Sequence, residues 1–570
     1  MEMKNGSHIT DVFDEQICEK MEADNRKRFY IAPQKVLWQS GSVTNSQALV
    51  ENRAAQITVE PKDGCVLHST AENCASVLLD FGAEIHGGIK IFTWLAGSKH
   101  HANVRVRFGE SAMEAMSELG GEQNATNDHA VRDMVVDLPD MSMISVGETG
   151  FRFVRIDLLD QDQDLVLKGV KGVLVYMDLP YVGSFRCNDE LLNRIWKTGA
   201  YTVHLNMQNY IWDGIKRDRL VWIGDMHPET STIQAVFGQN EAVPRSLDFV
   251  REGTPLPNWM NGYPSYSMWW MIIQHDWYVH TGDMEFLKRQ MPYYKGLYQQ
   301  LSTFIDESGK DCTPEPRFVD WPTADNKEAI DAGLQALHVM ATRSAKRLFE
   351  ACGEAELAKQ CEADLEKLMK FRPAGYGGAK QALSLMVLAG LASASEANEA
   401  CLSQNGAHSI STFMGYYILR ARAAAGDIEG CLENIRDYWG GMLSLGATTF
   451  WEDFDMDWLE NAARIDELTP AGKVNVHGAY GKYCYIGYRH SLCHGWSSGP
   501  TPWMQETILG VEVLEPGCRK IRVTPQLGSL EWAEGSFPTP YGPVFVRHEK
   551  KADGSVESDI KAPDEVEVVR

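Results

Sequence analysis

The spacing of the apolar residues changes twice along the chain, and this change limits the possible folds more than any other feature. From about residue 30 to 180, apolar and polar residues alternate between Gly, Asn and Asp breaks, as in VLLDFGAEIHGGIKIFTWLAG, which predicts the strands of an antiparallel β-sandwich. At SFRCNDELLNRIWKTGAYTVHLNMQ the period moves from two toward 3.6, with Asn188 or Asp189 as a candidate N-cap. After about residue 511 the strand pattern returns, as in CRKIRVTPQLG. The sequence therefore predicts an N-terminal antiparallel β-sandwich (1–183), a helical domain (184–510) and a small C-terminal β-sandwich (511–570).

The helical region repeats one kind of break. A glycine stands where a helix must stop, and an acid stands where the next helix begins, at Thr281-Gly282-Asp283, Cys352-Gly353-Glu354 and Ala425-Gly426-Asp427. This pattern is typical of helical hairpins, and the hairpins recur about 50 to 75 residues apart over roughly 300 residues. A closed ring of paired helices fits this arrangement better than a small bundle. An open helical solenoid is the alternative.

Composition excludes several classes of function. The net charge of −24 argues against a nucleic-acid partner, because such proteins need a basic surface. No apolar segment near the start and no run of eighteen apolar residues signals export or a membrane span, so we expect no membrane partner and a cytoplasmic location, or a periplasmic one if a leader was removed.

The twelve cysteines are scattered and are predicted to be reduced. No phosphate loop, dinucleotide fingerprint or zinc helix occurs, so neither a metal nor a cofactor is expected.

One stretch of fourteen residues, WDGIKRDRLVWIGD (212–225), combines opposite charges with two tryptophans. Ions such as Asp213, Arg217 and Asp218 cannot enter a core unpaired, because a lone buried ion costs several kcal/mol. An Arg can orient a carboxylate and lower its pKa, whereas an indole face raises the pKa of an acid by desolvation. Two carboxyls with pKa values pushed apart are what glycoside hydrolysis requires, and Trp222 offers an apolar platform for a sugar. A surface salt-bridge cluster is the alternative.

Three further stretches pair an acid or a histidine with tryptophan. Each one alone could be a solvated turn or contain a structural histidine. Together they predict the rim loops of one pocket that binds a carbohydrate. The stretches are GATTFWEDFDMDW (446–458) with Trp451 and Glu452, SLCHGWSSGPTPW (491–503) with His494, and RFVDWPTADN (317–326) with Asp320 and Trp321.

Four segments resemble the bacterial α-L-rhamnosidases of glycoside hydrolase family 78. They are DGIKRDRLVWIGD, ATTFWEDFD, SLCHGWSSGPT and PGCRKIRVTPQLGSLEWAEGSFPTPYG, and the resemblance extends from about residue 75 to the end. It implies an N-terminal β-sandwich, a central (α/α)6 barrel of six helical hairpins and a C-terminal β-sandwich. It also implies an inverting hydrolase that removes terminal non-reducing α-L-rhamnose from small glycosides or oligosaccharides.

The resemblance also assigns roles to individual positions. Asp218 stands where the family has its general acid, and Glu452 matches the general base; in an inverting enzyme the two carboxyl groups should lie roughly 6.5–9.5 Å apart. The remaining predicted substrate-binding positions are Asp213, Arg217, Trp222, Asp225, Trp270, Trp321, Trp451 and His494, together with Asp320 beside Trp321.

Two departures from the family pattern bear on the function. Gly214-Ile215 replaces Cys-Pro, and the acid position holds Asp218 in place of Glu. The shorter side chain loses about 1.5 Å of reach on bond-length grounds. Two alternatives therefore stay open: a relative that binds rhamnose without hydrolysing it, and a six-hairpin lyase or phosphorylase acting on a related sugar linkage.

Overall fold

The computed structural model of the chain describes residues 24–57, 64–97 and 99–570, with Gln16 and Lys20. Its first part is one antiparallel sheet of nine strands: β1 (Arg26–Ile31), β2 (Lys35–Ser40), β3 (Ser42–Thr44), β4 (Cys65–Ser69), β5 (Ser76–Ala96), β6 (His101–Gly109), β7 (Asp133–Pro139), β8 (Met143–Leu158) and β9 (Gln163–Met177). The strand order is β3-β4-β9-β5-β8-β6-β7, with β1 beside β9 and β2 beside β5. The long strand β5 shifts register twice, and apolar residues from both of its halves join one core with residues of the neighbouring strands. A short helix, Ala112–Met116, follows β6.

The central part is a closed ring of helices in two layers. Each inner helix packs against the next, and the last one packs against the first, which excludes the open solenoid. The inner helices are Ile223–Val236, Pro264–Thr281, Lys327–Ala351, Lys380–Ala389, Gly415–Ala424 and Pro500–Trp503, the last continuing as Met504–Ile508. The outer helices are Glu190–Asn206, Ala242–Gly253, Met284–Ser302, Ala355–Lys370, Ala394–Ala397 continuing as Asn398–Leu402, and Ile428–Asn434 continuing through Ile435–Trp439 to Gly440–Ser444.

The helix ends follow the capping signals of the sequence. Asp189 caps Glu190–Asn206 by accepting from two backbone amides. Gly282, Gly353 and Gly426 all have positive φ, as predicted for helix stops, and an acid follows each of them as the next N-cap. The predicted hairpin breaks are confirmed.

The C-terminal part consists of two small sheets that pack on the helices. One contains β13 (Val511–Glu515), β14 (Lys520–Val523) and β18 (Glu567–Val569). The other contains β10 (Ser184–Cys187), β15 (Trp532–Phe537), β16 (Val544–Lys550) and β17 (Val556–Lys561). Thus the first strand after residue 183 pairs with the C-terminal part of the chain. The predicted order of β, α and β regions is confirmed.

The N-terminal sheet lies against one end of the helical ring. Tyr201 donates its hydroxyl hydrogen to the carbonyl of Glu84, and the Glu84 amide donates to Thr448 Oγ1 at 2.9 Å. The Gly150 amide donates to the Ile215 carbonyl at 2.9 Å. These contacts hold the sheet against the loops that carry the stretches 212–225 and 446–458. The two short strands β11 (Ala462–Ala463) and β12 (Val474–Asn475) and the helix Val476–Ala479 lie in the loop that follows.

The described cysteines, eleven of the twelve, are all free, which agrees with the predicted reduced thiols; Cys18 lies outside the described residues. Within the described part of the chain, no helix has both the length and the apolar character needed to cross a membrane.

Candidate functional site

The four acid-and-tryptophan stretches meet at one cavity of about 70 Å³ at the end of the helical ring. Each stretch supplies at least one side chain to its wall, so the prediction that they surround a common pocket is confirmed in position. The cavity is lined by Asp213, Arg217, Asp218, Trp222, Asp225, Tyr263, Tyr266, Phe318, Trp321, Glu452, Cys484, His494 and Trp496.

The loop from residue 207 to 222 is fixed mainly through Asp213. Its amide donates to the Leu220 carbonyl at 3.1 Å, and its carboxylate accepts from the Leu220 amide at 3.0 Å. The Asp213 carbonyl accepts from the Gly495 amide at 2.8 Å, and Gly214 forms a β-bridge with His494. The stretches 212–225 and 491–503 are therefore held together by contacts between their backbones.

Arg217 lies between the two carboxylates to which the resemblance assigns the chemistry. One terminal nitrogen, Nη1, donates to Asp218 Oδ1 at 3.3 Å, and the other, Nη2, donates to Glu452 Oε1. Burial alone would lower the pKa of Arg217, but the charges of Glu452 and Asp218 raise it above its usual value. The guanidinium thus keeps its charge and separates the two carboxylates.

Both oxygens of each carboxylate have hydrogen-bond partners. Glu452 is 4% exposed, and its Oε2 accepts from the Ser491 amide at 3.1 Å. Asp218 Oδ2 accepts from Trp222 Nε1 at 3.1 Å. His129, in the loop before β7, places Nδ1 3.4 Å from Asp218 Oδ1.

Two further carboxyl groups form the deeper wall. Asp225 Oδ2 lies 3.0 Å from His494 Nε2, and Tyr266 donates its hydroxyl hydrogen to Asp225 Oδ1 at 3.4 Å. Burial raises the pKa of Asp225, against the opposing effect of His494. Burial, together with the charges of Asp225 and Asp218, holds the pKa of Asp213 well above its usual range. This wall can donate hydrogen bonds as well as accept them.

Three predicted positions lie outside the cavity wall. Trp270 is fully buried against Tyr293 and Tyr294, and its indole donates to the Leu247 carbonyl at 3.3 Å, so it faces the outer layer of helices. The predicted pocket role of Trp270 is therefore corrected to a core role.

Trp451 and Asp320 also support the wall from behind. Trp451 is 1% exposed and packs edge-on against Phe454 and His490. Asp320 is 2% exposed, accepts from the amide of Trp321 at 2.8 Å and from the Ser411 hydroxyl, and caps the short helix Trp321–Thr323. Their predicted direct contact with substrate is corrected to a supporting position.

Several wall residues were not predicted. Trp496 stands in the third stretch, two residues after His494, so its position could have been anticipated. Tyr263 and Tyr266 flank Pro264, the first residue of an inner helix, where an aromatic pair at a helix start is the only sequence signal. Phe318 stands in the stretch 317–326, so its position could also have been anticipated. Cys484 carries no such signal, nor does His129, which lies beside Asp218 behind the wall.

Among the described residues, two groups have the spacing of metal ligands: Glu110, Glu114 and His477, which are buried, and His408, Asp455 and Asp457 at the surface. The buried group already holds a cation of the protein itself. Lys216 Nζ lies 2.9 Å from Glu110 and 3.3 Å from Glu114.

Comparison with known families agrees with this geometry. A family model described as the bacterial alpha-L-rhamnosidase six-hairpin glycosidase domain matches residues 180–393, and the model of the bacterial alpha-L-rhamnosidase C-terminal domain matches residues 510–569. Residues 180–393 and 510–569 are thus similar to the six-hairpin and C-terminal domains of bacterial α-L-rhamnosidases. The match covers the first inner helices of the ring and both C-terminal sheets.

Individual members of the α-L-rhamnosidase family extend the match. An alpha-L-rhamnosidase of Alteromonas sp. is 27% identical over 455 residues, which are 71% of this chain and 46% of that protein. An alpha-L-rhamnosidase of Formosa agariphila is 32% identical over 78 residues, 14% of this chain and 8% of that protein. The chain thus spans about half the length of the Alteromonas relative.

Solved rhamnosidase structures share the fold. A family 78 rhamnosidase of Bacillus sp. GL1 gives a TM-score of 0.73 at 23% identity, covering 92% of this chain and 55% of that one. A Klebsiella oxytoca rhamnosidase solved with rhamnose bound gives 0.64 at 19% identity, covering 85% and 96%. The predicted fold of a β region, a six-hairpin ring and a C-terminal β region is therefore confirmed.

Proposed function

We propose that this protein is an inverting glycoside hydrolase that removes terminal non-reducing α-L-rhamnose from small glycosides or oligosaccharides. One observation carries the proposal: Asp218 and Glu452 border the same cavity and are bound to opposite nitrogens of Arg217. Inversion requires two carboxyl groups that are far enough apart to admit a water molecule, and two carboxylates on opposite nitrogens of one guanidinium are compatible with this requirement. The match of residues 180–393 to the bacterial alpha-L-rhamnosidase six-hairpin domain supports rhamnose as the sugar.

In this proposal Asp218 is the general acid and Glu452 the general base. Glu452 takes a proton from water while the water oxygen forms a bond to the anomeric carbon. The bond from that carbon to the leaving oxygen breaks at the same time, and Asp218 gives its proton to the leaving oxygen. Arg217 and the Ser491 amide hold the Glu452 carboxylate in place for this step.

The remaining wall residues recognise the sugar. Asp213, Asp225 and His494 supply polar groups at the deep end, where sugar hydroxyls need hydrogen-bond partners. Trp222 and Trp321 are partly exposed and offer apolar faces to the C–H groups of the ring.

A panel of aryl glycosides followed by NMR tests the proposal, because NMR reports both the substrate and the anomer released. We expect hydrolysis of the α-L-rhamnoside with inversion, and Glu452→Gln should lower kcat by about 10³-fold. Glu460→Gln, at an exposed position eight residues later, is the matched control and should keep normal turnover. Activity on none of the glycosides, or near-normal turnover by Glu452→Gln, would contradict the assignment. A requirement for phosphate would indicate a phosphorylase, and an ultraviolet-absorbing product a lyase.

A second function, rhamnose binding without hydrolysis, is favoured by the geometry of Asp218. Its carboxylate is one methylene shorter than that of Glu, and both of its oxygens are already bound within the protein. Calorimetry that detects L-rhamnose binding by a protein with no turnover would establish this alternative.

A further inference from the structure

A buried lysine lies behind the wall of the cavity, where the N-terminal sheet meets the helical ring. Lys216 is 7% exposed, and its ammonium nitrogen lies 2.9 Å from Glu110 Oε2 and 3.3 Å from Glu114 Oε1. It also donates to the carbonyls of Tyr488 at 2.8 Å and His490 at 2.6 Å. The ammonium group of Lys216 thus joins the helix Ala112–Met116 to the loop that precedes residues 491–503.

This cluster reaches Glu452 from two directions. Glu110 Oε2 accepts from the Leu492 amide at 2.6 Å, and Oε1 accepts from the Ser491 hydroxyl at 3.3 Å. The Ser491 amide then donates to Glu452 Oε2. On the other side, Lys216 directly precedes Arg217, which holds Glu452 Oε1. Both oxygens of Glu452 are therefore held by residues that the pair of Lys216 and Glu110 fixes.

We propose that Lys216 and Glu110 are positioning residues for Glu452, so that the N-terminal sheet takes part in catalysis through a buried ion pair. Neither side chain lines the cavity, and each acts through its neighbour in the chain or through Ser491. The proposal rests on the proposed role of Glu452 as the general base.

The ionisable groups around Lys216 determine its charge. Burial alone would lower the pKa of Lys216, but Glu110 and Glu114 raise it above its usual value. Burial raises the pKa of Glu110 to about 7, with Lys216 opposing the rise. Glu84, also buried nearby, has a pKa well above its usual range, and burial keeps the pKa of His477 well below its own. Lys216 therefore stays charged at neutral pH.

Lys216→Met tests the proposal on the full-length protein with an aryl α-L-rhamnoside. A displacement of a catalytic group by about 1 Å costs on the order of 10²-fold, so we expect kcat to fall by about 10 to 100-fold. KM should stay within about threefold, because the sugar-binding groups Asp213, Asp225 and His494 keep their partners. Glu110→Gln should show the same split between kcat and KM.

Lys380→Met is the matched control. Lys380 is 5% exposed, and its ammonium group donates to three loop carbonyls, those of Gln404, Gly406 and His408, away from the cavity. It should lose a similar amount of thermal stability while keeping kcat. If Lys380→Met loses as much kcat as Lys216→Met, or if Lys216→Met keeps kcat within twofold, the positioning role is wrong.

Two further measurements distinguish a failure of the positioning role from a failure of the proposed function and from misfolding of the variant. If Lys216→Met does not fold, Glu110→Gln decides by the same criteria. If the wild-type protein hydrolyses no glycoside, the proposed function fails, and crystal structures of wild type and Glu110→Gln then decide the positioning role. A Ser491 amide that has moved out of hydrogen-bond distance of Glu452 Oε2 in the variant supports the role, and an unchanged contact overturns it.

Discussion

At the scale of single residues, the proposed chemistry depends on the length of the Asp218 side chain and on the backbone that carries it. Asp218 and Arg219 both have a φ of +55°. Asp is several-fold enriched in this left-handed region relative to most residues, because its short polar side chain is tolerated there. The left-handed backbone at position 218 is therefore more compatible with Asp than with Glu.

Asp218→Asn removes the proton that the acid would give to the leaving oxygen. We expect kcat to fall by about 100-fold on alkyl rhamnosides, whose leaving groups need protonation, and much less on nitrophenyl rhamnosides, whose leaving groups do not. Comparing kcat across a series of leaving groups checks this. If wild type and Asp218→Asn depend on the leaving group to the same degree, Asp218 is not the acid.

Asp218→Glu introduces the acid that the resemblance to family 78 implies at this position, and it extends the reach of the side chain by about 1.5 Å. We expect kcat on alkyl rhamnosides to rise by about tenfold, at a small loss of stability, because Glu is less favourable at positive φ. Kinetics and thermal denaturation of the same preparation measure both effects. A fall in kcat would show that the loop has adapted to the shorter acid.

At the scale of elements, the short helix Trp321–Thr323 shows how the cavity wall is supported from behind. Asp320 caps this helix and accepts a hydrogen bond from the Ser411 hydroxyl. Asp320 itself is buried, whereas Trp321, the next residue, lies at the cavity wall. Burial raises the pKa of Asp320 to about 7 against the opposing effects of the Ser411 and Trp321 hydrogen bonds. The element is therefore sensitive to pH.

Asp320→Asn tests this sensitivity. The folded-state pKa of about 7 lies above the ordinary Asp value of about 3.9, so the neutral carboxyl contributes stability that is complete below about pH 4 and is lost as the pH rises through 7. Asn stays neutral, so Tm of the variant relative to wild type should increase by a few degrees between pH 5 and pH 8. Calorimetry at several pH values measures this difference. Glu433→Gln, at an exposed helical position, controls for the loss of one negative charge. A difference in Tm that does not change with pH contradicts the buried neutral state.

Much of the architecture could be predicted from local sequence, because caps and hydrophobic periods are local. Gly426 followed by Asp427 marked a helix end and a helix start correctly. Trp270 was misplaced, because its inner helix is apolar on all sides and a period of 3.6 then gives no information on which face meets the cavity. The contribution of Glu110 and His129 could not be predicted, because they reach the site across more than eighty residues of sequence.

At the scale of the whole molecule, one arginine on β8 joins the N-terminal sheet to the loop before Glu452. Arg152 donates to both oxygens of Asp80, at 2.9 and 3.1 Å, within the sheet. It also donates to the Gly446 carbonyl at 3.1 Å and to Asp466 at 3.4 Å in the helical part. The side chains of Arg152 and Asp80 are 7% and 2% exposed, so water cannot replace these bonds. The sheet and the loop of the base are thus parts of one buried network.

Arg152→Met should therefore weaken the whole molecule. Without Arg152, the buried Asp80 carboxylate keeps Lys35 at 3.6 Å, whose side chain is 51% exposed, and loss of the buried partner should cost about 3–5 kcal/mol of unfolding free energy. We also expect kcat to fall, because Gly446 loses a partner six residues before Glu452. Urea denaturation followed by circular dichroism, with kinetics on the same protein, measures both effects.

Arg105→Met is the comparison variant, since Arg105 pairs with the buried Asp133 in β7 and with the exposed Glu118, is 25% exposed and is not part of the cavity wall. Because its side chain is more exposed than that of Arg152, its loss should cost less unfolding free energy than the loss of Arg152, and it should leave kcat unchanged. If Arg152→Met is no less stable than Arg105→Met, the buried network does not couple the two regions. If it is less stable but keeps wild-type kcat, the sheet stabilises the helical ring without acting on the loop of the base, and the link from Arg152 to Glu452 is wrong.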